Sequence, residues 1–223
     1  MKERYIRQQE LVDQEKLSCL TVTLIGCGAV GSFTALSLCK MGIRDIALVD
    51  PDTVSIENLP NQFYREEDLG KKKALACGEI LHQFDSEIQV NILTRPFIKQ
   101  KLETEIVISS VDSMDVRKRI WESVRSHRKT RLLIDPRMAA HVIQVYSAIP
   151  GDPTSCKAYE STLIAENQAL RDRCTARSII YTVLPLAALI CRQVASFANE
   201  QWLEPALTLD MKTLTLLQKG VCA

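Results

Sequence analysis

A glycine-rich turn between a strand-like run and a helical run constrains the fold of this chain more than any other feature. Residues 20–25 form a compact apolar run that ends at Gly26-Cys27-Gly28-Ala29-Val30-Gly31. A helical pattern continues to about Met41, and residues 46–49 form a second apolar run that ends in Asp50. Strand, helix and strand over this length predict a βαβ unit, and the G-x-G-x-x-G turn at its first junction predicts a nucleotide ligand.

The turn and the acid that follows it suit different parts of a nucleotide. Small residues let the backbone approach phosphates closely, and the first turn of a helix offers N–H groups and a positive potential. We therefore expect the phosphates to lie on Gly26, Gly28, Ala29, Val30 and Gly31. Asp50, at the end of the next strand, is expected to bind the ribose hydroxyls. A turn that merely packs a helix on a sheet remains open at this point.

Strand-like and helical patterns alternate through the rest of the chain. Strands are predicted over 88–93, 106–110, 132–134 and 141–149, and helices over 8–18, 70–84 and 114–125. The polar residues 150–177 predict a long irregular crossover loop, before an apolar helix over about 178–199 and a hairpin of 206–209 with 214–217. The fold class is therefore α/β, a Rossmann-like, mainly parallel sheet with helices on both faces. We expect one domain over 1–223, with its nucleotide-binding part over about 1–137 and the crossover loop, helix and hairpin over about 138–223.

Composition argues against several classes of partner. The 28 Lys and Arg residues against 27 Asp and Glu give a net charge of +1, which offers no electrostatic surplus for nucleic acid or a membrane surface. The most apolar run, 179–191, contains Pro185 and is shorter than the ~20 residues of a membrane span, so it predicts a buried helix.

Eight scattered cysteines without a C-x-x-C pair predict a cytoplasmic setting and no structural zinc. The polar start of the chain predicts no secretory signal.

Several motifs around and beyond the turn occur in a set order. They are Arg4-Tyr5-Ile6-Arg7-Gln8, the G-C-G-A-V-G turn, Leu48-Val49-Asp50-Pro51-Asp52-Thr53-Val54, Asn58-Leu59-Pro60-Asn61-Gln62-Phe63 and Leu69-Gly70-Lys71-Lys72-Lys73-Ala74. In order and spacing this set resembles the ThiF/MoeB/E1 superfamily, from Arg4 to about Arg137 and more loosely to the last helix. The resemblance implies ATP- and Mg²⁺-dependent adenylation of the C-terminal carboxylate of a ubiquitin-like or sulfur-carrier protein or a peptide, which gives an acyl-adenylate and pyrophosphate.

The resemblance also implies roles for single residues. Lys73 matches the lysine that holds the phosphates, and Asp112, just past a predicted strand, matches the Mg²⁺-binding aspartate. Asn58 matches the active-site asparagine that faces the nucleotide, and Asp52 shares the nucleotide-binding motif of Asp50. Arg7 resembles an arginine that, in dimeric relatives, reaches into the ATP site of the other subunit, which implies a homodimer.

Each of these residues also has an ordinary structural interpretation. Asp112 suits the N-cap of the helix that follows it, and Lys73 ends a run of three lysines typical of a solvated surface. Asn58 suits a turn, and Arg7 suits the exposed start of a helix. The sequence leaves both interpretations open.

One position departs from the family pattern. Sulfur-carrier activators have an arginine where this chain has Asn61, so one cation for the triphosphate is missing. An asparagine still donates a hydrogen bond, but a charge-assisted contact is about twice as strong. Arg65, Lys71 or Lys72 are the nearby cations expected to compensate. The stretch 135–138, D-P-R-M, resembles the D-x-R-M of compact ThiF-like proteins.

A cysteine on the crossover loop is the candidate nucleophile. Cys174 lies between Arg173 and Arg177, just before the predicted apolar helix, where the family places its acceptor cysteine. Nearby cations and a helix N-terminus lower the pKa of a thiol, and a thiolate there attacks an acyl-adenylate to form a thioester or acyl persulfide. Cys156 on the same loop is a lesser candidate, and Cys27 is interpreted as a packing residue. An unreactive loop cysteine remains an equal alternative for Cys174.

Two other functions remain open on the sequence alone. A catalytically weak nucleotide-binding scaffold would explain the asparagine at position 61, since a fold does not establish chemistry. An NAD-dependent oxidoreductase would explain the glycines and Asp50, but it leaves Arg7, Asn58, Lys73 and Asp112 without a common role.

Overall fold

The computed structural model describes residues 2–164 and 178–218. The strands in this part of the chain are β1 Thr21–Ile25, β2 Asp45–Val49, β3 Gln89–Leu93, β4 Ile106–Ser109, β5 Leu132–Ala139, β6 Val142–Ala148, β7 Ala206–Asp210 and β8 Thr215–Gln218. The α-helices are α1 Gln14–Cys19, α2 Ala29–Met41, α3 Lys73–Phe84, α4 Met114–Ser126, α5 Pro153–Glu160 and α6 Ile180–Ala198. Short 3₁₀ helices cover Lys2–Gln8, Ile56–Asn58 and Glu66–Asp68.

All of these strands form one sheet, in the order β3-β2-β1-β4-β5-β6-β7-β8. The pairs from β3 to β5 are parallel, and those from β5 to β8 are antiparallel. In the parallel half, Ile25 at the end of β1 pairs with Val49 of β2 and with Ser109 of β4. The loops after these strands therefore meet at one edge, where the chain order reverses between β1 and β4 and ligands of open α/β sheets bind.

Helices cover both faces of the sheet, which confirms the predicted Rossmann-like α/β fold. On one face α2, α3 and α6 pack around a core that includes Leu24, Leu38 and Ile190. On the other face α4 and α5 pack with Trp121 and Tyr159. The predicted terminal hairpin is present as β7 and β8.

Two helix predictions differ from the structure. In place of a helix over 8–18, a 3₁₀ helix ends at Gln8 and α1 begins after Asp13, because the Asp13 side chain accepts a hydrogen bond from the Lys16 amide and caps the helix. The expected irregular crossover contains α5. Asp152 caps this helix by accepting from the Thr154 amide, and Pro153 occupies its first turn, where its missing N–H costs nothing.

Helix α6 continues through Pro185. By length and composition it is apolar enough to cross a membrane, and half of the window that meets this criterion is buried. The buried side packs on α2 and on β5 and β6. This burial is the arrangement predicted from the sequence for a core helix.

Candidate functional site

Two glycines of the turn are required by close backbone packing. Gly26 has a φ of +94°, and a Cβ there would lie 2.3 Å from the Ser110 carbonyl oxygen. A Cβ on Gly31 would lie 1.9 Å from the Gly26 carbonyl oxygen. Both distances are far below contact, so any side chain would force the turn away from β4 or from α2. These glycines set the shape of the turn.

Gly28 has a different environment. It is the N-cap of α2, and within the described residues no side chain caps the helix and no atom lies within 4 Å of a Cβ added at this position. The open space therefore lies directly in front of the first turn of a 13-residue helix. N–H groups at such a terminus lack intrahelical partners and favour an anion. This geometry fits a phosphate group at the turn.

Asp50 ties the glycine turn to the loop after β2. Its side chain is buried, Oδ2 accepts from the Cys27 amide at 2.6 Å, and Oδ1 accepts from the Asp52 amide at 2.8 Å. Burial raises the pKa of this carboxyl above its usual value, against the opposing effect of the two amide bonds and of Lys73. Each oxygen keeps a second acceptor site, as a contact with ribose hydroxyls requires.

A cleft of about 730 Å³ opens at this edge of the sheet. This volume lies within the range of small-molecule sites. It brings together most of the nucleotide-binding residues expected from the sequence: Gly26, Gly28, Ala29, Val30, Asp50, Asp52, Lys73 and Asp112. Gly31 is not among the described lining residues; it allows α2 to pack closely against the backbone of Gly26.

Lys73 is a buried residue of the cleft wall. Its side chain is 10% exposed, and Nζ lies 3.1 Å from Oδ2 of Asp52, whose side chain is 64% exposed. Tyr64 links this region to the turn, because its hydroxyl lies 2.6 Å from the Cys27 carbonyl oxygen and 3.1 Å from that of Lys73. The surface interpretation therefore does not hold for Lys73, whose ammonium group lies at the cleft with one exposed carboxylate partner.

The three nearby cations expected to compensate for Asn61 are engaged elsewhere. Arg65 and Lys71 both bind the buried Asp68 carboxylate, and the Lys72 ammonium group donates to the Pro51 carbonyl oxygen. They are not among the described residues that line the cleft. We therefore find no support for compensation by these residues.

Asp112 is exposed at the cleft, directly after β4. The N-cap of α4 is Ser113, whose hydroxyl accepts from the Val116 amide. The capping interpretation therefore belongs to Ser113, and the Asp112 carboxylate faces the cleft. Among the described residues, no three side chains of His, Cys, Asp or Glu come together as a metal site. A Mg²⁺ ion held by one carboxylate would take its other ligands from phosphate and water, as this ion commonly does.

Asn58 performs a local structural role. Its Oδ1 accepts from the Ser55 amide at 3.1 Å and from the Ser55 hydroxyl at 3.0 Å, which closes the 3₁₀ turn between them. Among described residues, the cleft lining does not include it. In this structure the Asn58 side chain therefore shapes the loop after β2.

Arg7 lies far from the cleft of its own chain. The neighbouring Gln8 donates to the carbonyl oxygen of Met41, the last residue of α2, whereas the glycine turn precedes the first residue of α2. Thirteen residues of helix separate these ends by about 20 Å. The exposed Arg7 can therefore serve a nucleotide only in the cleft of another copy.

A buried charge cluster that sequence reasoning missed forms another wall of the cleft. The Asp135 carboxylate has no exposed surface, and it accepts from Arg117 at 2.8 Å, from Arg137 at 2.8 and 3.0 Å, and from the Tyr159 hydroxyl at 3.0 Å. Both arginines line the cleft. The signal in the sequence was the D-x-R stretch on a buried strand, where residues two apart lie on one face.

The cysteines divide by burial. Cys174 lies outside the described residues. Cys156 is buried in α5, its thiol lies 3.4 Å from the Pro150 carbonyl oxygen, and burial raises its pKa. Cys27 is fully buried, and its pKa is raised by contact with Cys77 and by burial. Neither has the exposure or the low pKa of a nucleophile.

Thiol labelling of the native protein at pH 8 is expected to follow this division. The exposed Cys19 should react with iodoacetamide, whereas five buried thiols should be protected until urea unfolds the chain: Cys27, Cys39, Cys77, Cys156 and Cys191. Burial raises the pKa of Cys39 to about 11 and that of Cys191 to about 12, so the reactive thiolate is scarce at pH 8. Peptide mass spectrometry measures each site. Labelling of Cys156 as fast as Cys19 would contradict its burial, and labelling of Cys174 ahead of Cys19 below pH 7 is the outcome that a depressed pKa requires.

Comparisons with known proteins agree with this fold. The ThiF family is matched by residues 3–217. The sulfur carrier protein ThiS adenylyltransferase of Escherichia coli (strain K12) is 30% identical over 128 residues, which cover 52% of this chain and 51% of that protein. The matched parts span about half or less of the length of the curated relatives.

Solved structures share the fold at low sequence identity. The crystal structure of PaaA has a TM-score of 0.83 at 18% identity, over 98% of this chain and 82% of that chain. That of E. coli MccB with AMPCPP and MccA has a TM-score of 0.78 at 20% identity, over 97% and 71%. With the family match over nearly the whole chain, the conclusion is that the chain belongs to the ThiF family.

Proposed function

We propose that this protein is an ATP-dependent adenylyltransferase, which activates the C-terminal carboxylate of a small ubiquitin-like or sulfur-carrier protein or a peptide. The observation that carries the proposal is one cleft that joins Gly28, Asp50, Lys73 and Asp112 at the switch point of the sheet. The relatives of this family include activating enzymes for such carriers. In this reaction ATP supplies the α-phosphorus that the carboxylate attacks, with pyrophosphate as the leaving group.

The cleft residues suit the parts of ATP. Phe97, Ile98 and Val116 line an apolar portion of the cleft, which suits the adenine base. The buried Asp50 would accept from the ribose, and the open space at Gly28 would take a phosphate. Lys73 would stabilise phosphate charge, and Asp112 would hold Mg²⁺ on the same phosphates.

Partners and setting extend the proposal. Arg7 would complete the site of a second copy, which makes a homodimer part of the proposal, and Cys174 would accept the acyl group in a later step. The described cysteines are free, which supports the proposal of a reducing, cytoplasmic setting.

Asp112→Asn is expected to lower carrier-dependent ATP–pyrophosphate exchange about 100-fold or more, because the variant loses the carboxylate that would hold Mg²⁺ against the negative charge of the phosphates. The measurement uses the purified protein with Mg²⁺ and candidate carriers or peptides that end in glycine. Asp45→Asn is the matched control, since Asp45 begins β2 at the far end from the cleft. Cys174→Ala should keep the exchange, because the thiol acts after adenylation.

Two outcomes would contradict the proposal. Full exchange by Asp112→Asn would remove the aspartate from the reaction. ATP binding without exchange for any carrier would instead favour a nucleotide-binding scaffold, the second candidate function. The observation that favours a scaffold is the hydrogen bond from the side-chain nitrogen of Asn61 to Ser178, because this nitrogen is directed to the protein.

A further inference from the structure

Asn61 makes a specific contact across the cleft edge. Its amide nitrogen bonds the Ser178 hydroxyl and lies 3.4 Å from the Ser178 carbonyl oxygen. The two residues are 117 positions apart in the chain. Ser178 lines the cleft, and α6 begins two residues later. The contact therefore links the loop after β2 to the start of the long core helix.

The orientation of the Asn61 amide follows from hydrogen-bond chemistry. A carbonyl oxygen only accepts, so the atom of Asn61 that faces the Ser178 carbonyl must be the donating nitrogen. The amide nitrogen lies within hydrogen-bonding distance of both the hydroxyl and the carbonyl oxygen of Ser178, so its donor capacity is directed to this residue. The remaining atom, Oδ1, is a buried acceptor without a hydrogen-bond partner among the described residues. An acceptor cannot bond a phosphate oxygen, which is itself an acceptor.

We propose that Asn61 is a positioning residue that fixes the start of α6 at the nucleotide cleft through Ser178, and that it is not a phosphate ligand. Its consequence for catalysis rests on the proposed function. Asn61 thus does not supply the positive charge that the arginine of the family provides at this position. It performs a different task from the same position of the loop.

A second side chain has a matching role on the opposite side of the crossover. The Arg137 guanidinium, held by the buried Asp135, donates to the Thr162 carbonyl oxygen at 2.8 Å and to its hydroxyl at 2.9 Å. Thr162 precedes residues 165–177 and Ser178 follows them. Side-chain contacts of two residues therefore hold the described chain on either side of residues 165–177, at Thr162 and at Ser178.

The test compares Asn61→Ala, Ser178→Ala, the double variant and Ser178→Thr, which keeps the hydroxyl. Amide hydrogen exchange at Thr182 and Val183, in the first turn of α6, reports the contact directly. Each alanine variant should speed exchange there two- to tenfold, as expected for one lost hydrogen bond, and the double variant should add little. Ser178→Thr should retain slow exchange. Asn91→Ala, on the exposed edge strand β3, is the matched control.

Binding of MgATP, measured by calorimetry, separates the two roles. If Asn61 is a positioning residue, the Kd of Asn61→Ala for MgATP should lie within twofold of the wild-type value. Its kcat for pyrophosphate exchange should fall, and its KM for ATP should not rise. A tenfold weaker Kd in Asn61→Ala with no change in Ser178→Ala would overturn the proposal, as would unchanged hydrogen exchange in both variants. If the wild type does not turn ATP over, the proposed function fails, and the hydrogen-exchange comparison still decides the contact.

Discussion

Gly31→Ala is expected to give little folded protein, whereas Gly28→Ala is expected to fold with a small loss of stability and to lose nucleotide binding. The new methyl group at position 31 would lie 1.9 Å from the Gly26 carbonyl oxygen, which is backbone and cannot move aside without opening the turn. At position 28 the methyl group would meet no described atom within 4 Å, and the backbone at φ −78° and ψ −148° costs alanine only local strain. It would occupy the place that a phosphate needs.

Thermal unfolding and ATP binding measure the two effects separately. Gly31→Ala should lower the melting temperature by about 10 °C or more, as a severe defect in the core does, or leave the protein insoluble. Gly28→Ala should lower the melting temperature by only about 2–4 °C, the effect of about 1 kcal/mol of backbone strain, and weaken ATP binding at least about tenfold. Equal ATP affinity in Gly28→Ala and wild type would show that no ligand approaches the turn there, and the nucleotide assignment of the cleft would fail.

Asp135→Ala is expected to lower the free energy of unfolding by about 3–5 kcal/mol, the usual cost of removing one partner from a buried ion pair. The change leaves two guanidinium groups, of Arg117 and Arg137, without their buried counter-charge, with side-chain exposures of only 9% and 15%. It also leaves the Tyr159 hydroxyl without its acceptor. The loss of stability comes from the two buried guanidinium groups that are left without a carboxylate partner.

Urea unfolding checks this prediction against an exposed pair. Glu103→Gln removes the carboxylate partner of Lys101, where the two side chains are 65% and 72% exposed. It should cost less than about 1 kcal/mol, because water screens such pairs. A loss from Asp135→Ala as small as that of the control would mean that the cluster relaxes into solvent, and its role in shaping the cleft wall would be refuted.

Sequence patterns predicted the parts of this protein that depend on local chemistry. The glycine turn, Asp50 at the end of β2 and the apolar strands are local signals, and the structure has them where they were expected. Helix α5 was missed because eight residues are too few for a clear helical period, although Asp152 and Pro153 are a start signal.

The remaining features depend on contacts between distant residues. The contact of Asn61 with Ser178 and the pairing of Asp135 in β5 with Arg117 in α4 arise only when the fold brings separate segments of the chain together. No periodicity or spacing encodes such contacts. The role of Arg7 depends on contacts between two copies of the chain, which one chain does not contain. It stays a prediction.

The placement of the two tryptophans provides an optical consequence of the packing described above. Trp121 on α4 is 4% exposed, and its ring meets that of Tyr159 on α5 edge to face at 4.9 Å, while Trp202 is 62% exposed. An aqueous quencher therefore reaches one indole and not the other, so the shielded part of the emission comes from the α4–α5 contact. Because Tyr159 also binds the Asp135 carboxylate, that shielded emission is an intrinsic, label-free signal for the integrity of the cleft wall.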